Sequence, residues 1–109
     1  MTTETDAERV AAAVMRCPSV ARLSGGTVGE VATYLPGRRV TGVVIREPPS
    51  GPEVSVHVVG RYGPTMRQIS REIDSAVHSV LPGHRVHLTI DDLDIIDDPT
   101  ADDAPATPA

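Results

Sequence analysis

The chain has 109 residues, enough for one domain with a single modest core and too few for a second lobe that closes over a substrate. With no Phe or Trp and only two Tyr, the core must be built from Val, Ile, Leu, Ala and Met, which argues against holding nucleic acid by stacking bases on aromatic rings. All ten basic residues are Arg, and the net charge of −5 is concentrated in residues 97–109, leaving a near-neutral remainder with no basic block to hold a phosphate backbone.

The N-terminus, MTTETDAERV, is polar and acidic and does not read as a signal peptide. Residues 1–6 are expected to be disordered, although Thr5 or Asp6 can cap a helix running to about Arg16. Val10, Ala13, Val14 and Cys17 form its apolar stripe, and Pro18 stops it. Cys17 is the only cysteine, so there is neither an intrachain disulfide nor a cysteine zinc cluster, and it reads as a small buried hydrophobe rather than a reactive thiol. Val20 to Leu23 reads as a short strand and Gly25-Gly26 as a loop. Val28 to Leu35 reads as a second short strand or an irregular turn. Pro36-Gly37 predicts a type II turn, with glycine at positive φ. Arg39 to Glu47 reads as one strand, and the proline-rich segment 48–52 as a stiff hairpin-like loop.

From Val54 to Leu81 the pattern is strongest. Val54, Val56 and Val58 alternate with Ser55, His57 and Val59, a strand with one buried face. After the Gly63-Pro64 corner the period changes to 3.6, with Met66, Ile69, Ile73, Ala76, Val77 and Val80 on one stripe. Pro64 is expected in the first turn of this helix. Pro82-Gly83 stops it. A last strand follows, with Val86, Leu88 and Ile90 on one face and His87, Thr89 and Asp91 on the other, and Ile95-Ile96 continuing it as an edge. Residues 97–109, rich in Pro, Ala and Asp, are expected to be disordered. Two six-residue stretches, 35–40 and 81–86, share a Leu-Pro-Gly-x-Arg-Val pattern, read as two uses of one turn. The expected architecture is α+β: a two-layer domain over residues 7–96, with two helices packed on one face of a small mixed β-sheet of three to four strands.

The order of Val20-Ala-Arg-Leu before a glycine-rich loop, Arg39-Val-Thr-Gly-Val-Val-Ile, Val54-Ser-Val-His-Val-Val-Gly-Arg-Tyr-Gly and the helix patterned Ile69, Ile73, Val77 resembles the alkaline shock protein family of envelope stress response proteins, also named for a glucose-starvation protein. The resemblance covers about residues 7–95. It implies a small non-enzymatic cytosolic domain that self-associates, with some members tethered beneath the membrane by a separate anchoring protein. The chain departs from better-known members in having no Lys, in its Gly25-Gly26 loop and in its short Asp/Pro tail. The family supplies no catalytic residue to carry over.

The residues themselves nominate few sites. Gly25 to Glu30 superficially suggests a phosphate loop but lacks the Lys-Ser/Thr ending, so it reads as a turn. His57 and His87 fall on the sheet face away from the helices, where they could bind a metal or sense pH. A zinc site needs three or four ligands, and Asp91 is the one obvious third, so they read as polar residues of an exposed or partner-covered face. His78 follows Asp74 by one helical turn, an ordinary i,i+4 pair. Arg61, at the carboxyl end of its strand, could hold an anion, yet no general base, nucleophile or metal cluster accompanies it. His57, Val59, Arg61, His87 and Thr89 are therefore the candidate interaction face. The expected function is a cytoplasmic, non-enzymatic interaction domain without cofactor or metal. It would form a homo-oligomer or bind a membrane-anchored protein, reaching a membrane only through that partner. The alternative is a small nucleic-acid-binding domain, weakened by the charge balance and missing aromatics, and an enzyme is the weakest reading.

Overall fold

In a computed structural model, which describes residues 5–26 and 31–94, the first helix, α1 (Asp6–Met15), opens on a reciprocal capping box. Glu8 N–H donates to the Thr5 hydroxyl at 3.2 Å and Thr5 N–H donates to the Glu8 carboxylate at 2.9 Å, so Thr5 and Asp6 take part in the helix start although they lie in the stretch expected to be disordered. The Arg38 guanidinium donates to the same carboxylate, tying α1 to the hairpin beyond it. The second helix, α2 (Met66–Val80), is capped by Thr65, whose hydroxyl accepts from Gln68 N–H at 3.1 Å. Pro64 therefore precedes the cap instead of occupying the first turn. Ile69, Ile73 and Val77 are fully buried, each contributing about 1.5–3 kcal/mol of apolar burial. Met66 departs from the expected stripe at 53% exposed. Helical side chains lean towards the N-terminus, and ahead of Met66 there is only the corner at 63–65.

The sheet is built around β5 (Glu53–Arg61). Along one edge it pairs in parallel with β6 (Arg85–Asp94), which the α2 crossover makes possible. On its other edge two short strands lie end to end, both antiparallel: β4 (Val43–Arg46) against residues 53–56 and β1 (Val20–Leu23) against residues 58–60. The segment expected as one strand over Arg39 to Glu47 is two. β3 (Arg38–Thr41) leaves the main sheet and pairs with β2 (Ala32–Leu35) in a separate two-stranded hairpin, turned by Pro36 and by Gly37 at φ +75°. The break is Gly42, at φ +81°, where an added Cβ would lie 2.8 Å from the His57 carbonyl oxygen and 2.9 Å from that of Ser24. Only glycine combines that dihedral with that approach.

Val54, Val56 and Val58 meet α1 and α2 in one core, with Val10, Val14, Val20 and Val43 completing its centre. Both helices cover the same sheet face, giving the α+β two-layer arrangement. Cys17 is buried at its margin. Ser19, buried beside this core, is held by Glu72 of α2, which accepts from its N–H at 3.1 Å and its hydroxyl at 2.8 Å. Residues 1–4, the segment 27–30 of the suggested phosphate loop, the Ile95-Ile96 continuation and the acidic stretch 97–109 lie outside the described residues.

Candidate interaction surface

The sheet face opposite the helices is lined by ion pairs between strands. Glu53, at the start of β5, accepts from Arg85 at 3.2 Å and lies 3.3 Å from His87 Nε2, both on β6. Arg85 also donates to the Ser50 hydroxyl at 2.9 Å. One step along, His57 Nδ1 is 3.3 Å from an Asp91 oxygen. At the far end Arg22 of β1 reaches across β5 to Asp94 of β6 at 3.0 Å. Such surface pairs contribute up to about 1 kcal/mol each, and they order the face more than they stabilise the fold.

His57 is fixed by its backbone as well. Its N–H donates to the Gly42 carbonyl and its own carbonyl accepts from Ser24 N–H, both at 2.8 Å. One residue thus bonds to the ends of both antiparallel neighbours, closing the gap between β1 and β4.

The candidate residues separate on this framework. His57 stands in register with Thr89, and His87 with Ser55, so the two histidines are offset by two positions and each meets a different acid. The described residues contain no group of three His, Cys, Asp or Glu side chains placed to hold a metal ion. Thr89 is exposed. Val59 does not present surface: it is 5% exposed, and its register neighbours Arg22 and Asp92 flank it on either side. Arg61 turns back to the end of α1, its Nε donating to the Pro18 carbonyl at 3.0 Å while its N–H donates to Ser19 at 2.8 Å. It acts there as a brace between β5 and the loop after α1. His78 meets Asp74 at 3.6 Å, as its spacing predicts.

Two features were not singled out from the sequence. One is a surface cleft of about 530 Å³ between the end of α1 and α2, lined by Arg16, Cys17, Arg71, Glu72 and Ser75 among others. The residues come from two distant segments whose contact no local pattern signals. The other is the free edge of β6, a ten-residue strand that pairs only with β5 among the described strands. Its apolar residues Val86, Leu88 and Ile90 are half-buried, unlike the fully buried valines of β5. Among the described residues no helix is long and apolar enough to cross a membrane. No family model, curated protein or solved structure matches the chain.

Proposed function

We propose that this chain is a non-enzymatic, cytosolic interaction domain of the alkaline shock type, which works by assembling with itself or with an envelope-associated partner. The observation that carries the reading is the long edge strand β6, with its half-buried apolar row and no strand beyond it among the described residues. Exposed sheet edges are templates for pairing, and natural proteins that leave a long one open use it for association. The helix-free face beside it, with His57, His87 and Thr89 above ordered ion pairs, extends the same surface. The family resemblance, carried by the order of the strand and helix patterns, points the same way.

Light scattering coupled to gel filtration on the full chain tests the proposal. The expected mass exceeds the 11.5 kDa of one chain and rises with protein concentration. A mass fixed at one chain throughout the micromolar range would overturn self-association.

A further inference from the structure

The open edge of β6 can be assigned residue by residue. Arg85 N–H donates to the Pro52 carbonyl at 3.1 Å, which sets the phase of the parallel ladder from Arg85 to Ile90; beyond the register shift after Ile90 the phase changes, and Tyr62 N–H donates to the Asp94 carbonyl at 3.1 Å. Along a strand the N–H and C=O of one residue point to one side, and successive residues alternate. With Glu53, Ser55 and His57 in register with Arg85, His87 and Thr89, the main-chain groups of those three β6 residues are directed at β5. The groups of Val86, Leu88 and Ile90 are therefore directed at the other edge, which no described strand occupies. The same three residues carry the apolar row that packs against the core from the sheet margin.

We propose that this edge pairs with the same edge of a second copy, antiparallel, about a twofold axis at Leu88. The inference rests on the reading of the chain as an interaction domain and names the partner as another copy of itself. Three features select this register. First, Leu88 faces Leu88 and Val86 faces Ile90, so every outward N–H and C=O between Val86 and Ile90 falls in a mutually bonded pair. Second, the faces match, with apolar side chains meeting on the helix side and Arg85, His87, Thr89 and Asp91 on the other. Third, Arg85 of each copy stands opposite Asp91 of the other, so the basic start of the strand meets its acidic end twice.

Neighbouring registers keep some outward main-chain pairs but lose the Arg85–Asp91 contacts and part of the apolar match. Centring the pair on Thr89 sets Val86 against Asp92, beyond the irregularity that re-phases β6 after Ile90. Centring it on His87 sets Arg85 against Thr89 and Asp91 against Gly83, and both charge contacts disappear. The strand is its own complement because its charge runs from Arg85 and His87 to Asp91, Asp92 and Asp94, which an antiparallel copy reverses. A paired edge of this length is a small interface, so association is weak and reversible.

Sedimentation of the full chain across a range of concentrations tests the register. Arg85→Asp and Asp91→Arg each place like charges together at two symmetric positions, and each weakens dimerisation about tenfold. An equimolar mixture of the two variants restores a dimer of wild-type strength, because both cross-strand contacts are again between opposite charges. Circular dichroism melts establish that each variant is folded. Amide hydrogen exchange on the unmodified chain reads the same edge without substitution, with protection at Val86, Leu88 and Ile90 that rises with concentration. A chain that is monomeric at every concentration overturns both this pairing and the self-association on which it rests. A dimer indifferent to both charge reversals, with no concentration-dependent protection at those three amides, overturns the pairing alone.

Discussion

Gly42 is the position where the fold is most sensitive to a single methyl group. In Gly42→Ala the new Cβ would lie 2.8 Å from the His57 carbonyl oxygen, 2.9 Å from that of Ser24 and 3.1 Å from Leu23 Cβ. The two oxygens are backbone atoms and cannot swing aside as a side chain would. Alanine at φ +81° costs about 1–2 kcal/mol on steric grounds alone. Relieving the contacts requires β1 and β4 to move away from His57, which weakens the two 2.8 Å bonds that close the junction, about 1 kcal/mol each. The sum is about 3–4 kcal/mol, a large share of the stability of a small domain. At about 4–8 °C per kcal/mol for this size, Tm falls by roughly 12–30 °C in a circular dichroism melt. Gly37→Ala supplies the control, because Gly37 also has a positive φ, at +75°, but nothing lies within 4 Å of its added Cβ. That variant isolates the dihedral cost, so Gly42→Ala must be the worse by about 2 kcal/mol. Equal losses for the two would refute the claim that backbone approach at His57 dictates glycine here.

Three further outcomes follow from polar contacts. Glu72→Ala leaves the buried Ser19 N–H and hydroxyl without their acceptor and should destabilise the domain by about 2–3 kcal/mol in urea titration, and a loss below about 0.5 kcal/mol would show that Glu72 is not their essential acceptor. The hydrogen bond from Arg38, and after it that from Thr5 N–H, hold the Glu8 carboxyl down at about 2 from an ordinary 4.5. Its contribution is therefore complete above pH 4.5 and fades as the pH falls towards 2; Arg38→Ala should flatten the acid limb of a stability–pH profile over that window, and an unchanged limb would deny the link. Burial, with Glu72 nearby, pushes the Cys17 thiol up from its ordinary value, so thiol labelling at pH 8 should be slow in the native chain and fast in denaturant, and rapid native labelling would contradict the packing.

The parts legible in the sequence are those where one period runs uninterrupted against one surface. The alternation from Val54 to Val58 and the 3.6-residue stripe through Ile69, Ile73 and Val77 each bury as their spacing predicts, because a strand or helix facing a single layer has no competing demand. The split at Gly42 is harder to read. Arg39-Val-Thr-Gly-Val-Val-Ile has strand propensity on both sides of the glycine, and a glycine inside such a run signals close backbone approach without naming what approaches. The helix-free face was legible as composition but not as pairing. Placing His57 against Asp91 and His87 against Glu53 requires the β5–β6 register, which depends on the length of the α2 crossover and not on either strand alone. Val59 departs from the expected exposed face for the same reason, since its register neighbours Arg22 and Asp92 lie on strands at both sides.

One signal in the sequence does carry register information, and it connects the fold to the proposed edge. Val20 and Leu23 in β1, and Ile90 and Leu93 in β6, are each three residues apart and all pack on the core. In an unbroken strand such a pair must point to opposite faces, so one residue has to be passed over without advancing the alternation. The pairing shows this in both strands: the register shifts between Val20 and Arg22 in β1, and β6 passes over Asp91 between Ile90 and Asp92. Both shifts fall against residues 58–60 of β5, so the sheet is re-phased at one level across three strands. Bulges of this kind bend a strand and disrupt an edge for further pairing. In β6 the bulge ends the regular edge immediately after Ile90, and the acids Asp91, Asp92 and Asp94 follow. The regular ladder open to pairing is thereby confined to Val86 through Ile90, with Arg85 flanking one end and Asp91, the residue passed over, flanking the other. An edge limited in this way discourages open-ended strand addition, the property that separates a defined pairing from an aggregating sheet.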